Sequence, residues 1–468
     1  MPKDWEKDDH KTIIILPKYR DIDTSKFNII PTDIIISVPI STWREYARLW
    51  IGTLPNSTVP VYFLESRDYF DRKGIYGNPE GFADNDRRFV FLSRAVFEVC
   101  KALNFRPDII HSHDYHTGFA MAFLKTHYRY DPLFARCAGV YTIHNMAYQG
   151  QSDPRRVMEY AGFGTQNFRG SWFEHDSVVN MMKTALMFSD KITTVSPTYA
   201  YEIRWTNNGE GMQDYLNSRG GDVIGILNGI DETEWNPEID THLIKQYSPE
   251  MLEEKAENKL KLLREAIPTY DLKNDLPVIG MVSRLTDQKG IALLEKSMEQ
   301  LLTSGRVRFL ILGSGEKRYE DFFRYMGKKY PTRALVMTGY NNALSHQVIA
   351  ASDYLIVPSL FEPCGLTQMY ALKYGTIPIV RATGGLADTV QEYDPQQGTG
   401  TGFTFTQYSS KSLVNAVSRA VYYYKAQPHW DTLRVNAMAQ QNESKRSADM
   451  YINVFRWALE KRGISIPT

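Results

Sequence analysis

Several strings in this chain put charged or polar side chains where a β-branched run gives way to a helical pattern. Open α/β sheets bind their ligands at that position. In "VSRLTDQKG", Arg284 ends one run and Lys289 opens the next helix. Two cations beside a helix start suit a diphosphate, because the first backbone N–H groups and the helix dipole favour an anion. No Walker sequence accompanies them, so this is not a P-loop. In "VPSLFEPCGLTQMYALKYG", Glu362 lies between a run and a helix, with Pro363 suited to the first helical position. A carboxylate there suits sugar hydroxyls, and no second carboxylate pairs with it locally as a glycosidase would require. In "PIVRATGGLADTV", Thr383, Gly384 and Gly385 open a further helix. Glycines there let backbone N–H groups come close to an anion.

The first half has three comparable places. Asp114 in "IIHSHDYHTG" follows a strand pattern and precedes a helical one. It reads equally as a helix N-cap and as a carboxylate on a cleft floor touching a sugar hydroxyl. His144 and Asn145 in "YTIHNMAYQG" end an apolar run. A lone histidine there is more often structural, and the paired polar residue shifts the balance toward a site. Asn228 in "GILNGIDETEWNP" precedes Gly229. Asn-Gly is turn chemistry in its own right, and the amide is also a candidate ligand contact.

These positions need a scaffold. Strand-like runs recur at Lys11–Tyr19, Asp33–Ile40, Val59–Glu65, Asp108–His113, Gly139–His144, Lys191–Ser196 and Asp222–Asn228. Later ones fall at Pro277–Arg284, Val307–Gly313, Ala334–Tyr340, Tyr354–Ser359 and Ile377–Arg381. Many are apolar without alternation, as strands buried on both faces are. Helical patterns separate them; in Gly290–Thr303, Ile291, Leu294, Met298 and Leu301 share one face. The alternation predicts an α/β chain with parallel sheets, in two Rossmann-like, doubly wound domains facing across a cleft. It breaks between Asp231 and Asp275, where "PEMLEEKAENKLKLLREAI" reads as one long helix. The predicted domains are 1–240 and 241–468, the last helix returning to the first domain.

The 468 residues carry 54 Lys plus Arg against 54 Asp plus Glu, a net charge of +0. A basic stripe for nucleic acid is not indicated. The apolar runs are too short to span a membrane, the first ten residues do not resemble a secretory signal, and the odd, scattered Cys100, Cys137 and Cys364 suggest a reducing compartment. A cytoplasmic protein is expected; oligomeric state is not legible.

The strings "HSHDYHTG", "YTIHNMAYQG", "SPTYAYEI", "LNGIDETEWNP", "KAENK", "VSRLTDQKG", "FEPCGLTQMYALKYG" and "TGGLADTV" together resemble the bacterial glycogen synthase and plant starch synthase family, in its order and spacing. The resemblance implies a GT-B fold. It implies transfer of glucose from ADP-glucose to the nonreducing 4-hydroxyl of an α-1,4-glucan, with retention and with no metal or other cofactor. It assigns diphosphate binding to Arg284 and Lys289, the acid near the glucose to Glu362, and donor contacts to Cys364, Gly365, Leu366, Thr383, Gly384 and Gly385. His144 and Asp114 match the family's donor-site pair, Asn228 its glucose contact, and Tyr340 in "TGYNNALSH" its adenine-stacking tyrosine. Broader relatives carry a second acid where this chain has Tyr370.

Two departures accompany the match. "MPKDWEKDDHKTIIILPKYR" resembles the end of the family's first helix, so its first strand and Lys-x-Gly-Gly loop do not appear in this sequence. On that reading ADP binding persists while transfer slows, and sheet edges favour aggregation. A noncatalytic glucan-binding or regulatory relative is the alternative it raises. Near the C-terminus "QQNESKRS" replaces an Asp-Phe-Ser-Trp region, removing the aromatic anchor expected for the last helix.

Overall fold

The computed structural model describes residues 2–6, 10–77, 81–270 and 275–464. Met1 and residues 7–9 of the opening string therefore lie outside the described residues. The chain forms two compact units. One comprises 1–195, 200–226 and 445–468; the other comprises 196–199 and 227–444.

The first unit holds β1 (Ile14–Pro17), β2 (Ile30–Ile40), β3 (Trp43–Thr53), β4 (Pro60–Glu65), β5 (Ile109–His113), β6 (Ala138–Ile143), β7 (Gln151–Ser152), β8 (Glu174–His175), β9 (Val178–Asn180), β10 (Lys191–Thr194) and β11 (Val223–Gly225). One sheet runs β11-β10-β6-β5, all parallel, and β6 is buried along its whole length. A second sheet, β1-β4-β3-β2, is mixed: β1 is parallel to β4, while β3 is antiparallel to both β4 and β2. Of these two sheets, only this one departs from the parallel pairing expected. The strand pattern of β3 is interrupted by Arg44, Glu45 and Arg48, as suits a strand with one wet face. Among the described residues β1 and β5 each pair with one strand neighbour.

The helix Ser444–Lys461 packs in this first unit against Trp5, Val140 and Ile226. The altered string runs into its first turn, yet the helix keeps aromatic contacts. Trp5 meets Phe455 at 5.2 Å and Tyr451 at 6.3 Å between ring centroids, and its indole N–H donates to the Ala448 carbonyl at 3.1 Å.

The second unit is built on one parallel six-stranded sheet. Its strands are β12 (Val278–Leu285), β13 (Arg308–Gly315), β14 (Ala334–Thr338), β15 (Tyr354–Val357), β16 (Ile377–Arg381) and β17 (Phe403–Phe405). The order is β14-β13-β12-β15-β16-β17. Helix Ile291–Thr303 covers one face, with Ile291, Leu294, Met298 and Leu301 buried as their spacing predicts.

Two boundaries differ from the sequence reading. Residues 227–240 belong to the second unit rather than to a domain ending at 240. The reason is packing: Trp235 lies flat between His346 and Tyr370, with centroids 3.6 and 3.7 Å away, and Asp240 accepts a hydrogen bond from buried His346 Nδ1 at 2.8 Å. The long helix predicted after Pro249 is instead a 3-10 stretch, Pro249–Glu254, with non-helical backbone at Met251, then an α-helix, Lys255–Ala266. That α-helix explains "KAENK" as a clamp. Lys259 bridges Asp275 (2.8 Å) and Asp353 (2.6 Å). Lys255 donates to Ala350 O (2.6 Å) and Thr376 Oγ1 (2.7 Å), and burial pushes its amine down to about 7. Asn258 accepts from the Ile244 N–H at 3.1 Å.

Candidate active site

In the second unit the neighbouring strands β12 and β15 carry the key groups at or shortly after their C-terminal ends. Arg284, near the end of β12, is exposed, and its Nη2 reaches Gln288 Oε1 at 3.5 Å, the outer limit of a hydrogen bond. A short turn, Asp287–Lys289, follows and ends at Gly290 with φ of 73°. A Cβ added at Gly290 would stand 2.0 Å from the Pro358 carbonyl oxygen. Glycine thus lets this turn lie directly on the loop after β15, where the Leu360 N–H donates to Gln288 O at 2.9 Å.

That contact brings Lys289 to Glu362. The Lys289 amine donates to Oε1 at 3.0 Å and to Oε2 at 2.7 Å, and the Ser359 hydroxyl donates to Oε2 at 2.8 Å. The Glu362 side chain is 6% exposed and that of Lys289 19%. The sequence reading placed the amine with phosphate and the carboxylate with sugar as separate groups; the structure joins them. Such a pair persists out of water because the two ions hold each other and the carboxylate has a further donor in Ser359. Arg284, five positions before Lys289 in sequence, is a more exposed cation near the end of β12.

The glycine-rich helix start packs closely on the Glu362 loop. A Cβ at Gly384 would lie 1.9 Å from the Glu362 carbonyl oxygen, and the Gly385 N–H donates to that oxygen at 3.0 Å. The helix Gly384–Thr389 spans 6 residues. The Gly385 N–H is thus bonded to the Glu362 loop, and the close approach at Gly384 sets the helix start against that loop. Thr383 is buried. Cys364 is buried too, with its thiol pushed up to about 12 by burial; the Asn228 backbone N–H opposes that rise. Gly365 takes a φ of 73°, and Leu366 is exposed. Tyr340 follows β14 and is 86% exposed, a bare aromatic face suited to stacking.

In the first unit, Asp114 follows β5 with φ of 55°, a conformation few side chains tolerate. Its carboxylate makes no cap hydrogen bond to its own helix. It accepts the His144 N–H at 2.8 Å instead, so it ties the end of β6 to the end of β5. Burial raises its acidity constant's midpoint, and the His144 side chain and the N–H groups of His144 and Asn145 pull it back. His144 Nε2 lies 3.1 Å from His113 Nδ1.

Thus Arg284, Lys289, Glu362, Cys364 and Thr383–Gly385 gather at the sheet end of the second unit, while Asp114 and His144 gather in the first. Ser359, Gly290 and the Trp235–His346–Asp240 set escaped the sequence reading. Ser359, three residues before Glu362, was legible as the end of a strand, but nothing local showed its hydroxyl turning toward that carboxylate.

Comparison with known proteins agrees with this architecture. Residues 1–218 match the starch synthase catalytic domain and residues 264–430 the glycosyl transferases group 1 family. A glycogen synthase of Pseudothermotoga lettingae is 39% identical over 467 residues, covering 99% of this chain and 94% of the relative. Glycogen synthase 1 of Geobacter sulfurreducens is 40% identical over 466 residues, covering 99% and 92%. The catalytic domain of starch synthase IV from Arabidopsis thaliana, solved bound to ADP and acarbose, superposes with a TM-score of 0.88 at 32% identity, covering 97% of this chain and 93% of that one. Two Rossmann-like units of the GT-B fold, with a cation–carboxylate cluster at the strand ends, define a glycosyltransferase. The chain belongs to the glycogen synthase and starch synthase family.

Proposed function

We propose that this enzyme transfers glucose from ADP-glucose to the nonreducing 4-hydroxyl of an α-1,4-glucan, retaining the anomeric configuration and using no metal or other cofactor. The observation that carries the reading is the Lys289–Glu362 ion pair with exposed Arg284 on the adjacent strand end. It supplies positive charge for a leaving diphosphate and a fixed carboxylate for sugar hydroxyls. The neighbour solved with ADP and acarbose supports the same nucleotide and the same class of acceptor.

In this reading Arg284 and Lys289 hold the diphosphate while the anomeric C–O bond breaks, its electron pair passing to the β-phosphate oxygen. The acceptor 4-oxygen bonds to the anomeric carbon on the same face. Its proton goes to the departing phosphate oxygen, so no side-chain base is required. Cations fixed where negative charge develops stabilise the transition state more than the ground state. Glu362, with Cys364, Gly365 and Leu366 on the same loop and Thr383–Gly385 behind it, orients the glucose; Tyr340 stacks on adenine. Asn228, and on the first unit His144 backed by Asp114, are assigned to sugar hydroxyls. The protein is expected to work in the cytoplasm, and no helix among the described residues is long and apolar enough to cross a membrane.

The test is incorporation of radiolabelled glucose from ADP-glucose into glycogen, with and without EDTA, and with UDP-glucose in parallel. Label released by an α-1,4-specific exoamylase, undiminished by EDTA and preferring ADP-glucose, is expected. Absence of incorporation from either donor would overturn the reading.

A further inference from the structure

Glu362 sits in a loop, and its two carboxylate oxygens have different sets of donors. Lys289 contacts both oxygens, and a symmetric contact of that kind leaves the plane of the carboxylate free to rock about the amine. The second donor to Oε2 is the Ser359 hydroxyl at 2.8 Å, from a residue with no exposed surface. Only Pro358 separates Ser359 from the end of β15, and β15 is hydrogen-bonded on both sides within the parallel sheet. Its own carbonyl accepts from Arg381 Nη1 at 3.4 Å, and the Leu360 N–H is tied to Gln288 O. The hydroxyl is therefore mounted on the rigid part of the unit, whereas Lys289 reaches Glu362 through a flexible four-carbon stem.

We infer that Ser359 is a positioning residue for the transfer reaction: its buried hydroxyl fixes the rotation of the Glu362 carboxylate toward the bound sugar. The inference rests on the function proposed above and adds a residue to it. Ser359 does not touch substrate; its effect passes wholly through Glu362. A serine that merely filled space would act independently of the carboxylate. A serine that orients it would matter only while the carboxylate is there.

The experiment is a double-mutant cycle on the full chain with Ser359→Ala, Glu362→Gln and the double variant, measuring kcat, the KM for ADP-glucose, ADP affinity and the melting temperature. Loss of one hydrogen bond to a buried charged group is expected to lower kcat about tenfold. The KM and ADP affinity should stay within about twofold of wild type. In the Glu362→Gln background Ser359→Ala should add less than about a twofold further loss. Wild-type kcat in Ser359→Ala would overturn the inference, and so would an equal loss in both backgrounds. Should Ser359→Ala not fold, Ser359→Cys keeps the volume with a weak donor and is held to the same outcomes. If the wild-type chain transfers no glucose, the functional reading fails. If wild type is active, Glu362→Gln is impaired and Ser359→Ala is normal, the positioning role alone fails.

Discussion

Replacing Lys289 by Ala should do two separable things, because its amine serves both Glu362 and the leaving diphosphate. The first is a loss of stability. Removing one partner of a buried ion pair costs about 3–5 kcal/mol when the other is stranded. Here Lys289 is 19% exposed and Glu362 keeps the Ser359 donor, so water and the remaining hydrogen bond reduce the cost to about 2 kcal/mol. For a unit of this size that is a fall of about 4–8 °C in melting temperature. The second is a loss of turnover of a hundredfold or more, from a charge absent where negative charge develops. Adding Glu362→Gln separates the two. The double variant has no stranded carboxylate and should recover most of the melting temperature, but turnover should stay low. Differential scanning fluorimetry and radiolabel incorporation, run on wild type, both single variants and the double, decide the matter. A Lys289→Ala protein with unchanged melting temperature would show that the ion pair contributes nothing to the folded state. Recovery of turnover in the double variant would show that the amine's task is to neutralise Glu362 rather than to hold the donor.

Tyr340→Ala should weaken ADP binding by about 10- to 100-fold, the worth of one base stacked on an aromatic ring, while Tyr340→Trp binds normally by calorimetry; equal affinity in the alanine variant would move adenine elsewhere. Gly290→Ala should cost several kcal/mol, since its Cβ would collide with the Pro358 carbonyl at a φ of 73°, and a variant melting with wild type would contradict the packing of turn on loop. Lys255 gives a pH signature. Its folded amine titrates at about 7 against 10.5 for the free group, so between those values the unfolded chain binds the extra proton and stability rises with pH. The unfolding free energy of wild type should therefore rise relative to Lys255→Met by about 1 kcal/mol per pH unit from pH 7.5 to 9.5; a constant difference in urea titrations would mean the amine stays charged throughout.

The sequence by itself determined the class of fold and the stations where chemistry is found. Apolar runs without alternation can be satisfied only as strands covered on both faces, and β6, β12, β13 and β15 are such strands. Residues such as Arg284, Glu362 and Asp114 follow from that, because the end of a parallel strand is where a side chain leaves the sheet. A half-wet antiparallel strand such as β3 was harder to read, since Arg44, Glu45 and Arg48 break its apolar pattern. What the tertiary structure alone decided is which of these groups serve one another. Lys289 and Glu362 are 73 positions apart in sequence, and they meet because Gly290 has no Cβ to hold the turn off the Pro358 carbonyl. The Gly384–Gly385 pair reads locally as an anion cradle, yet its backbone lies against Glu362 and Cys364. Residues 227–240 continue the first half in sequence, but Trp235 finds flat partners in His346 and Tyr370, so the boundary moves. Propensity and pattern are properties of neighbours along the chain. Close approach and hydrogen-bond pairing depend on which strand ends the topology sets side by side, and no local window contains that information.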